Sequence, residues 1–245
     1  MKLITLNTWG GPIFQPLMDF ISSKGAEVDI FCFQEVYHEA DAASYDHPED
    51  CYQLFNEFKK TLSSHEGYFH EYFKGDYGLG IFISKKLNLN SIDDHFVHKH
   101  KGFIPEGRLG HHARNIQIAT FEKDDKKYNI INFHGLWNGQ GKTDTEERLS
   151  QSQKIIEAMK KLEGEIIFCG DFNLLPDTES LKMFEDFGLR NLVKEYGITD
   201  TRTKLYEKSV RFADYIFVSK GVEVKDFKVL PDVVSDHAPL YIEFE

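Results

Sequence analysis

Gly170-Asp171-Phe172-Asn173 closes the apolar run Ile166-Ile167-Phe168-Cys169 with a carboxylate and an amide two residues apart. In an extended chain, residues i and i+2 project to the same side. The spacing therefore predicts Asp171 and Asn173 facing one pocket. The pair suits phosphoryl chemistry, because a carboxylate can hold a cation or take a proton from water and an amide can donate to a phosphate oxygen. A strand ending in Gly-Asp also serves as an ordinary turn, so the motif gains meaning only from partners.

Partners of the right kind stand at the ends of other strand-like runs. Asn7 follows Leu3–Leu6, Glu35 follows Val28–Phe33 and His134 follows Tyr128–Phe133. Asp214 stands just before Tyr215–Val218, and Asp236-His237 precede the last apolar run, Leu240–Phe244. In α/β sheets the ligand crevice forms at one edge of the strands, and strand starts reach that edge when those strands run antiparallel. Each residue alone has a plain structural use: Asn7 and Asp214 can cap turns, Glu35 can lie on the surface, His134 can pack and Asp236 can brace its own loop. Carboxylates, histidines and amides gathered at strand ends are the reason to expect a site.

The elements that must position these residues follow from apolar periodicity. Strands are expected at Lys2–Leu6, Val28–Phe33, Leu79–Ser84, Ile116–Phe121, Tyr128–Phe133, Glu165–Cys169, Tyr215–Val218 and Leu240–Phe244. The nearly continuous apolar run Val28–Phe33 suits a strand buried on both faces. Helices are expected at Pro16–Ser23, Tyr52–Leu62, Thr145–Leu162 and Ser180–Phe187, the third with Leu149, Ile155, Ile156, Met159 and Leu162 at helical spacing. Thr143-Asp144-Thr145-Glu146 before it resembles a capping box. Strands and helices alternate first and strand pairs follow, which predicts a mixed α/β protein with a largely buried sheet. With no repeat, low-complexity stretch or linker, residues 1–245 are expected to form a single domain. Two stretches read as loops. Tyr37–Asp50 is acidic and polar. Asp93–His112 carries five of the eleven histidines, His95, His98, His100, His111 and His112. It is expected to be a solvated loop, with a substrate-facing flap or an adventitious metal site as the alternative, and none of its spacings matches a zinc signature.

Composition narrows the partners. The formal net charge is −11, from 40 acidic and 29 basic residues, which suits broad, salt-sensitive nucleic-acid binding poorly. It does not exclude a nuclease, since bound divalent cations change the local field. Cys32 and Cys169 lie inside apolar runs and Cys51 makes the count odd. Buried free thiols, a reducing compartment and a cytoplasmic monomer are therefore expected. No apolar run approaches the ~20 residues of a membrane span, and the first residues are too short an apolar stretch for a signal segment.

Leu6-Asn7-Thr8-Trp9, Phe33-Gln34-Glu35-Val36, Phe133-His134, Gly170-Asp171-Phe172-Asn173, Ala213-Asp214-Tyr215-Ile216-Phe217-Val218 and Ser235-Asp236-His237-Ala238-Pro239 together resemble the ordered motifs of the endonuclease/exonuclease/phosphatase superfamily. This group includes pancreatic deoxyribonuclease, abasic-site endonucleases, neutral sphingomyelinases, inositol polyphosphate 5-phosphatases and tyrosyl-DNA phosphodiesterases. The resemblance runs from Leu3 to Leu240. It implies an α/β four-layered sandwich of two packed mixed β-sheets flanked by helices. It also implies a divalent-metal-dependent hydrolase that attacks a phosphodiester in line with an activated water.

The resemblance carries roles onto individual residues. Glu35 would ligate Mg²⁺, or Mn²⁺ in its place, with Asn7 beside it, and Asp236 would be a further ligand or support one. Asp171 would orient and deprotonate the water, and Asn173 would help hold the water and the phosphate. His237 would contact the scissile phosphate with Asp214 behind it, and His134 would donate to a phosphate oxygen. A carboxylate is expected to support the first histidine, and Asp76, before Tyr77-Gly78-Leu79, is the nearest in sequence. Arg114, Arg148, Trp137 and Lys142 could reach substrate or serve in packing. A nuclease or DNA-repair phosphodiesterase is the first expectation, and Trp9 after Asn7-Thr8 resembles the tyrosyl-DNA phosphodiesterases. The alternative is a small-molecule or lipid-headgroup phosphodiesterase or phosphatase, like a sphingomyelinase or an inositol phosphatase. A non-catalytic binding module on the same fold is disfavoured, because every motif is intact.

Overall fold

The computed structural model describes residues 1–105 and 111–245. In chain order its first elements are β1 (Lys2–Asn7), α1 (Phe14–Lys24), β2 (Ile30–Tyr37), α2 (Leu54–Thr61), β3 (His65–Phe73), β4 (Tyr77–Ser84), β5 (Asn88–His98), β6 (Arg114–Lys123) and β7 (Lys126–His134). They are followed by α3 (Glu146–Met159), β8 (Glu165–Asp171), α4 (Glu179–Asp186), β9 (Arg190–Asn191), α5 (Leu192–Glu195), β10 (Asp214–Val218), β11 (Val224–Val229) and β12 (Leu240–Phe244). These strands form two six-stranded sheets, ordered β11-β12-β1-β2-β4-β3 and β5-β6-β7-β8-β10-β9. Both are mixed: β1 and β2 run parallel, as do β7 and β8, beside antiparallel neighbours.

Alternation along the central strands explains the layers. In β2, Ile30 and Cys32 join Leu3 and Ile81 in the core shared with the second sheet. Phe31 and Phe33 point the other way and pack with Leu17, Ile21, Leu54 and Phe58 of α1 and α2. A strand covered on both faces needs apolar residues at every position, which is what Ile30–Phe33 supplies. On the far side α3 packs on β5 and α5 on β10. The four-layered mixed sandwich expected from the sequence is the architecture observed.

Polar side chains also tie the sheets together. Gln34 Nε2 donates to Asn132 Oδ1 at 2.7 Å, and Asn132 Nδ2 donates to the carbonyls of Phe33 and Gly80 at 3.0 and 3.2 Å. These buried bonds lock β7 against β2 and β4, since leaving any member unpaired would cost about 1–3 kcal/mol.

Three expectations need correction. β3, β5, β9 and β11 were not expected as strands, and Asp93–His98 of the expected loop lies in β5. All four are sheet edges, where a strand pairs on one side only and its sequence stays polar. The rest of that histidine-rich stretch includes residues 106–110, which lie outside the described residues. At α3 the cap is Thr145, whose side chain accepts from Arg148 N–H, and not a Thr143–Glu146 box. Asp144 instead caps the neighbouring α4, accepting from the Glu179 and Ser180 amides at 2.8 and 2.9 Å.

Candidate active site

Strand register assembles the centre of the site. His134 at the end of β7 lies opposite Asp171 at the end of β8, and Asp171 lies opposite Asp214 at the start of β10. The first sheet supplies Asn7, the last residue of β1, which pairs with Gln34. Glu35 follows in a bulge, where the β2–β4 register shifts between Phe33 and Val36. His237, just before β12, completes the ring through an isolated bridge to Arg202.

Local backbone geometry aims these side chains. Gly170 has φ +139°, and a Cβ there would lie 2.0 Å from the Phe133 carbonyl oxygen, so only glycine lets β8 approach β7 that closely. Glu35 and Asn173 adopt left-handed φ values of +56° and +55°, which cost a non-glycine residue roughly 1 kcal/mol or more. Asp171 and Asn173 both line the cleft, although Asn173 reaches it by this turn and not by strand alternation. Between them Phe172 is buried and packs against Phe168, Phe133 and Tyr215, with ring centroids 4.7, 5.2 and 5.4 Å away.

The polar contacts form one network. Asn7 Nδ2 donates to Glu35 Oε1 at 2.9 Å and to Asp171 Oδ2 at 3.0 Å. Asn7 Oδ1 accepts from the Trp9 amide. Asp171 Oδ1 accepts from the Asn173 amide at 2.8 Å. His134 Nε2 lies 3.6 Å from Glu35 Oε1 and 3.7 Å from Asp171 Oδ2, and His237 Nε2 lies 3.6 Å from the same Asp171 oxygen. On its far side His237 Nδ1 contacts Asp214 Oδ1 at 2.8 Å. Asp236 Oδ1 is 3.7 Å from His237 Nε2, while its Oδ2 pairs with Arg202 at 2.7 Å.

Burial governs the electrostatics. Desolvation, reinforced by the charges of Asp236 and Asp171, pushes the Glu35 carboxyl up to about 7 despite its bond from Asn7. Burial raises Asp214 to about 7 and lowers His237 to about 3, the latter with help from the Arg202 charge. His134 is held well below its ordinary value by burial and then by Arg114. Both histidines are therefore neutral, each with Nε2 facing the Asp171 carboxylate. Glu35, His134 and Asp171 form one group of converging ligand atoms, and Asp171, Asp214 and His237 another. Buried, oxygen-rich and crowded with like charge, the Glu35–Asp171 side of the site fits a hard divalent cation.

Six of the eight residues expected at the site (Asp171, His237, His134, Asn173, Glu35 and Asp236) line a cleft of about 340 Å³. Asp214 and Asn7 are buried directly behind it. Behind His134 the structure corrects the sequence reading. Asp76 accepts from the Tyr45 hydroxyl, whereas His134 Nδ1 is met by the Tyr72 hydroxyl at 2.9 Å. Burial raises the Tyr72 phenol, so it keeps its proton and can donate to Nδ1, an arrangement that puts the proton of neutral His134 on Nε2. Tyr72 escaped notice because β3 did; the aromatic run Tyr68–Phe73 was its only signal. Arg202, Tyr206 and Lys208 also line the cleft, from an irregular segment whose sequence carries no pattern. Arg114, Trp137 and Lys142 line it too. Arg148 does not: it is buried and donates to the carbonyls of Leu136 and Thr143, clamping the loop that carries Trp137 and Lys142. His112 lines the cleft, His111 contacts the Asn138 carbonyl, and none of the five histidines of that stretch joins a metal-capable cluster among the described residues.

The model of the Endonuclease/Exonuclease/phosphatase family matches residues 4–237. A UPF0294 protein of Vibrio campbellii is 29% identical over 115 residues, covering 47% of this chain and 39% of that protein's length. Among solved structures, a mannosyl-6-phosphatase of Bacteroides thetaiotaomicron superposes with a TM-score of 0.78 at 18% identity, covering 100% of this chain and 99% of its own. An endonuclease/exonuclease/phosphatase of Bacteroides vulgatus gives 0.77 at 19% identity, with coverage of 100% and 98%. TDP2 of D. rerio, solved with a single-strand DNA product, gives 0.71 at 16% identity, again with coverage of 100% and 98%.

Proposed function

The chain belongs to the endonuclease/exonuclease/phosphatase family, and on that premise we propose that it hydrolyses a phosphoester with the help of Mg²⁺ or Mn²⁺. One observation carries the reading: Asp171 Oδ2 stands 3.6 Å from His237 Nε2 and 3.7 Å from His134 Nε2. Those gaps are too long for direct hydrogen bonds and leave a site bounded by a base and two imidazoles.

Asp171 takes the proton of the attacking water, oriented by the Asn173 amide that fixes its other oxygen. Asn173 also holds the phosphate. His134, neutral with a proton on Nε2, donates to a phosphate oxygen. His237 lies against the scissile phosphate, with Asp214 holding Nδ1 and fixing its ring. Glu35 would hold the cation, with Asn7 beside it and Asp236 as a further ligand or a support. A bound cation there offsets charge on a phosphate oxygen as the transition state forms. The buried free thiols of Cys32 and Cys169 support a reducing, cytoplasmic setting.

Of the two substrate classes, the surroundings of the cleft favour a small phosphate ester. Beside it, sharing Trp9, Glu35, Tyr77 and His112, lies a crevice of about 200 Å³ lined by Asp46, Glu49 and Asp50. A phosphate backbone extended over those carboxylates would be repelled. The mannosyl-6-phosphatase neighbour fits this reading. A nuclease or DNA-repair phosphodiesterase is the second, favoured by the cationic Arg114, Lys142, Arg202 and Lys208 of the cleft and by the TDP2 neighbour. Single-stranded DNA, abasic DNA, RNA, sphingomyelin, inositol phosphates and sugar phosphates should be assayed side by side with Mg²⁺ or Mn²⁺ and with EDTA. Metal-dependent turnover that Asp171→Asn and His237→Ala each reduce by at least ~100-fold is expected. Wild-type turnover by Asp171→Asn would remove the assigned base.

A further inference from the structure

We propose that Arg114 reads the charge of the substrate phosphate and selects a terminal phosphate, a phosphomonoester dianion, over a phosphodiester. The inference rests on the phosphoesterase reading and narrows its substrate class.

Arg114 opens β6. Ile116 pairs with Phe133, so Arg114 lies at the edge where β7 delivers His134, and it lines the same cleft as His134 and Asp171. It is only 2% exposed. Its guanidinium lies 4.8 Å from the ring centroid of Tyr72, the residue whose hydroxyl meets His134 Nδ1. The fork is thus stacked on the group that orients the first histidine.

The fork is also unused. Nε and Nη1 of Arg114 are buried and find no hydrogen-bond partner among the described residues. The other two buried arginines near the cleft each leave one nitrogen unpartnered but are held by the rest of the fork: Arg202 pairs with Asp236, and Arg148 donates to two carbonyls. A guanidinium does not shed its proton, and an unpaired buried charge is costly even when an aromatic face lies beneath it. The planar fork suits two oxygens of one anion. An anion that comes and goes with turnover is the partner that accounts for it.

The remaining donors indicate which anion. Asn173, His134 and a cation at Glu35 already suffice for the two non-bridging oxygens and single charge of a diester. A monoester brings a third oxygen and a second negative charge, and Arg114, beside His134 at the strand edge with Nε and Nη1 unpartnered among the described residues, is placed to receive them. Because the fork is buried, a second ester substituent directed at it would have no exit.

The test compares p-nitrophenyl phosphate with methyl p-nitrophenyl phosphate, using the full chain with Mg²⁺ or Mn²⁺, for wild type, Arg114→Met and Arg114→Lys. Arg114→Met should lower the monoester-to-diester ratio of kcat/KM by about 20-fold or more, with Arg114→Lys in between. Binding of inorganic phosphate, followed by calorimetry, should weaken by about tenfold or more in Arg114→Met. An equal loss on both esters would show that Arg114 only supports Tyr72 and His134, and would overturn the proposal. If Arg114→Met fails to give a cooperative melt, Arg114→Lys decides: an unchanged ratio overturns it. If wild type turns over neither ester, the phosphoesterase reading fails, and phosphate affinity that is the same in wild type and variants then overturns the role of Arg114 as well.

Discussion

His237 Nδ1 sits between the two carboxylate oxygens of Asp214, 2.8 Å from one and 2.9 Å from the other, while Nε2 of the same ring looks at Asp171. One buried carboxylate therefore sets the tautomer of an imidazole whose other nitrogen faces the proposed base. Asp214 is itself fixed, because Thr201 Oγ1 accepts from its amide and from that of Ala213.

Asp214→Asn should preserve the fold and destroy this control. The amide can donate to Nδ1 and leave the proton on the wrong nitrogen, the effect that makes such replacements severe in triads. A fall in kcat of at least about 100-fold is expected, with a melting temperature near that of wild type. Turnover within a few-fold of wild type would show that His237 acts without Asp214.

Tyr72→Phe removes the donor to His134 Nδ1 and leaves the ring beneath Arg114 in place. Without that hydrogen bond, His134 can carry its proton on either nitrogen. A loss of about tenfold in kcat/KM is expected, with a shifted pH–rate profile. An unaltered profile would place the control of His134 elsewhere.

Phe172→Ala should be the most damaging apolar change near the site. The ring packs against Phe133, Phe168, Phe184, Phe217 and Tyr215, so its removal leaves a cavity and should cost about 3–5 kcal/mol. Urea denaturation measures this directly. Because Asp171 and Asn173 flank the ring, activity should fall by more than the unfolded fraction explains.

Lys142 gives the stability a pH dependence of definite sign. Burial lowers its ammonium from 10.5 to about 8, while Nζ donates to the Phe212 carbonyl at 2.8 Å. Between about pH 8 and 10.5 the unfolded chain binds this proton more tightly than the folded one, so the contribution of Lys142 to stability rises with pH across that window. Below pH 8 the full cost applies, on the order of 3 kcal/mol. Urea midpoints measured from pH 7 to 10 should climb more steeply for wild type than for Lys142→Met. Equal slopes would mean that Lys142 titrates as it does in water.

What the sequence disclosed followed burial. Strands covered on both faces, such as Ile30–Phe33 and Ile166–Cys169, had to be apolar throughout and were legible, and the residues at their ends were legible as site candidates. β3, β5, β9 and β11 carry no such constraint: each borders its sheet, exposes part of its length and reads as loop. Tyr72 was hidden with β3. Arg202 was hidden because its place rests on an isolated bridge to His237 and on the Thr203–Asp236 backbone bond, long-range contacts with no local signature. Gln34 follows one apolar run and Asn132 lies inside another, and their partnership across the sheets is a tertiary fact that neither run announces.

Asn7 and Glu35 arrive on one sheet, His134, Asp171 and Asp214 on the other, and His237 leads into the last strand of the first. Turnover is therefore a gauge of alignment between two slabs. A slip of an ångström between them leaves every strand paired and the core dry, yet separates base from imidazole and both from the cation ligand. Catalysis should fade on warming while circular dichroism still reports intact sheets, which makes the Gln34–Asn132 bolt as much a part of the machinery as the groups proposed to touch phosphate.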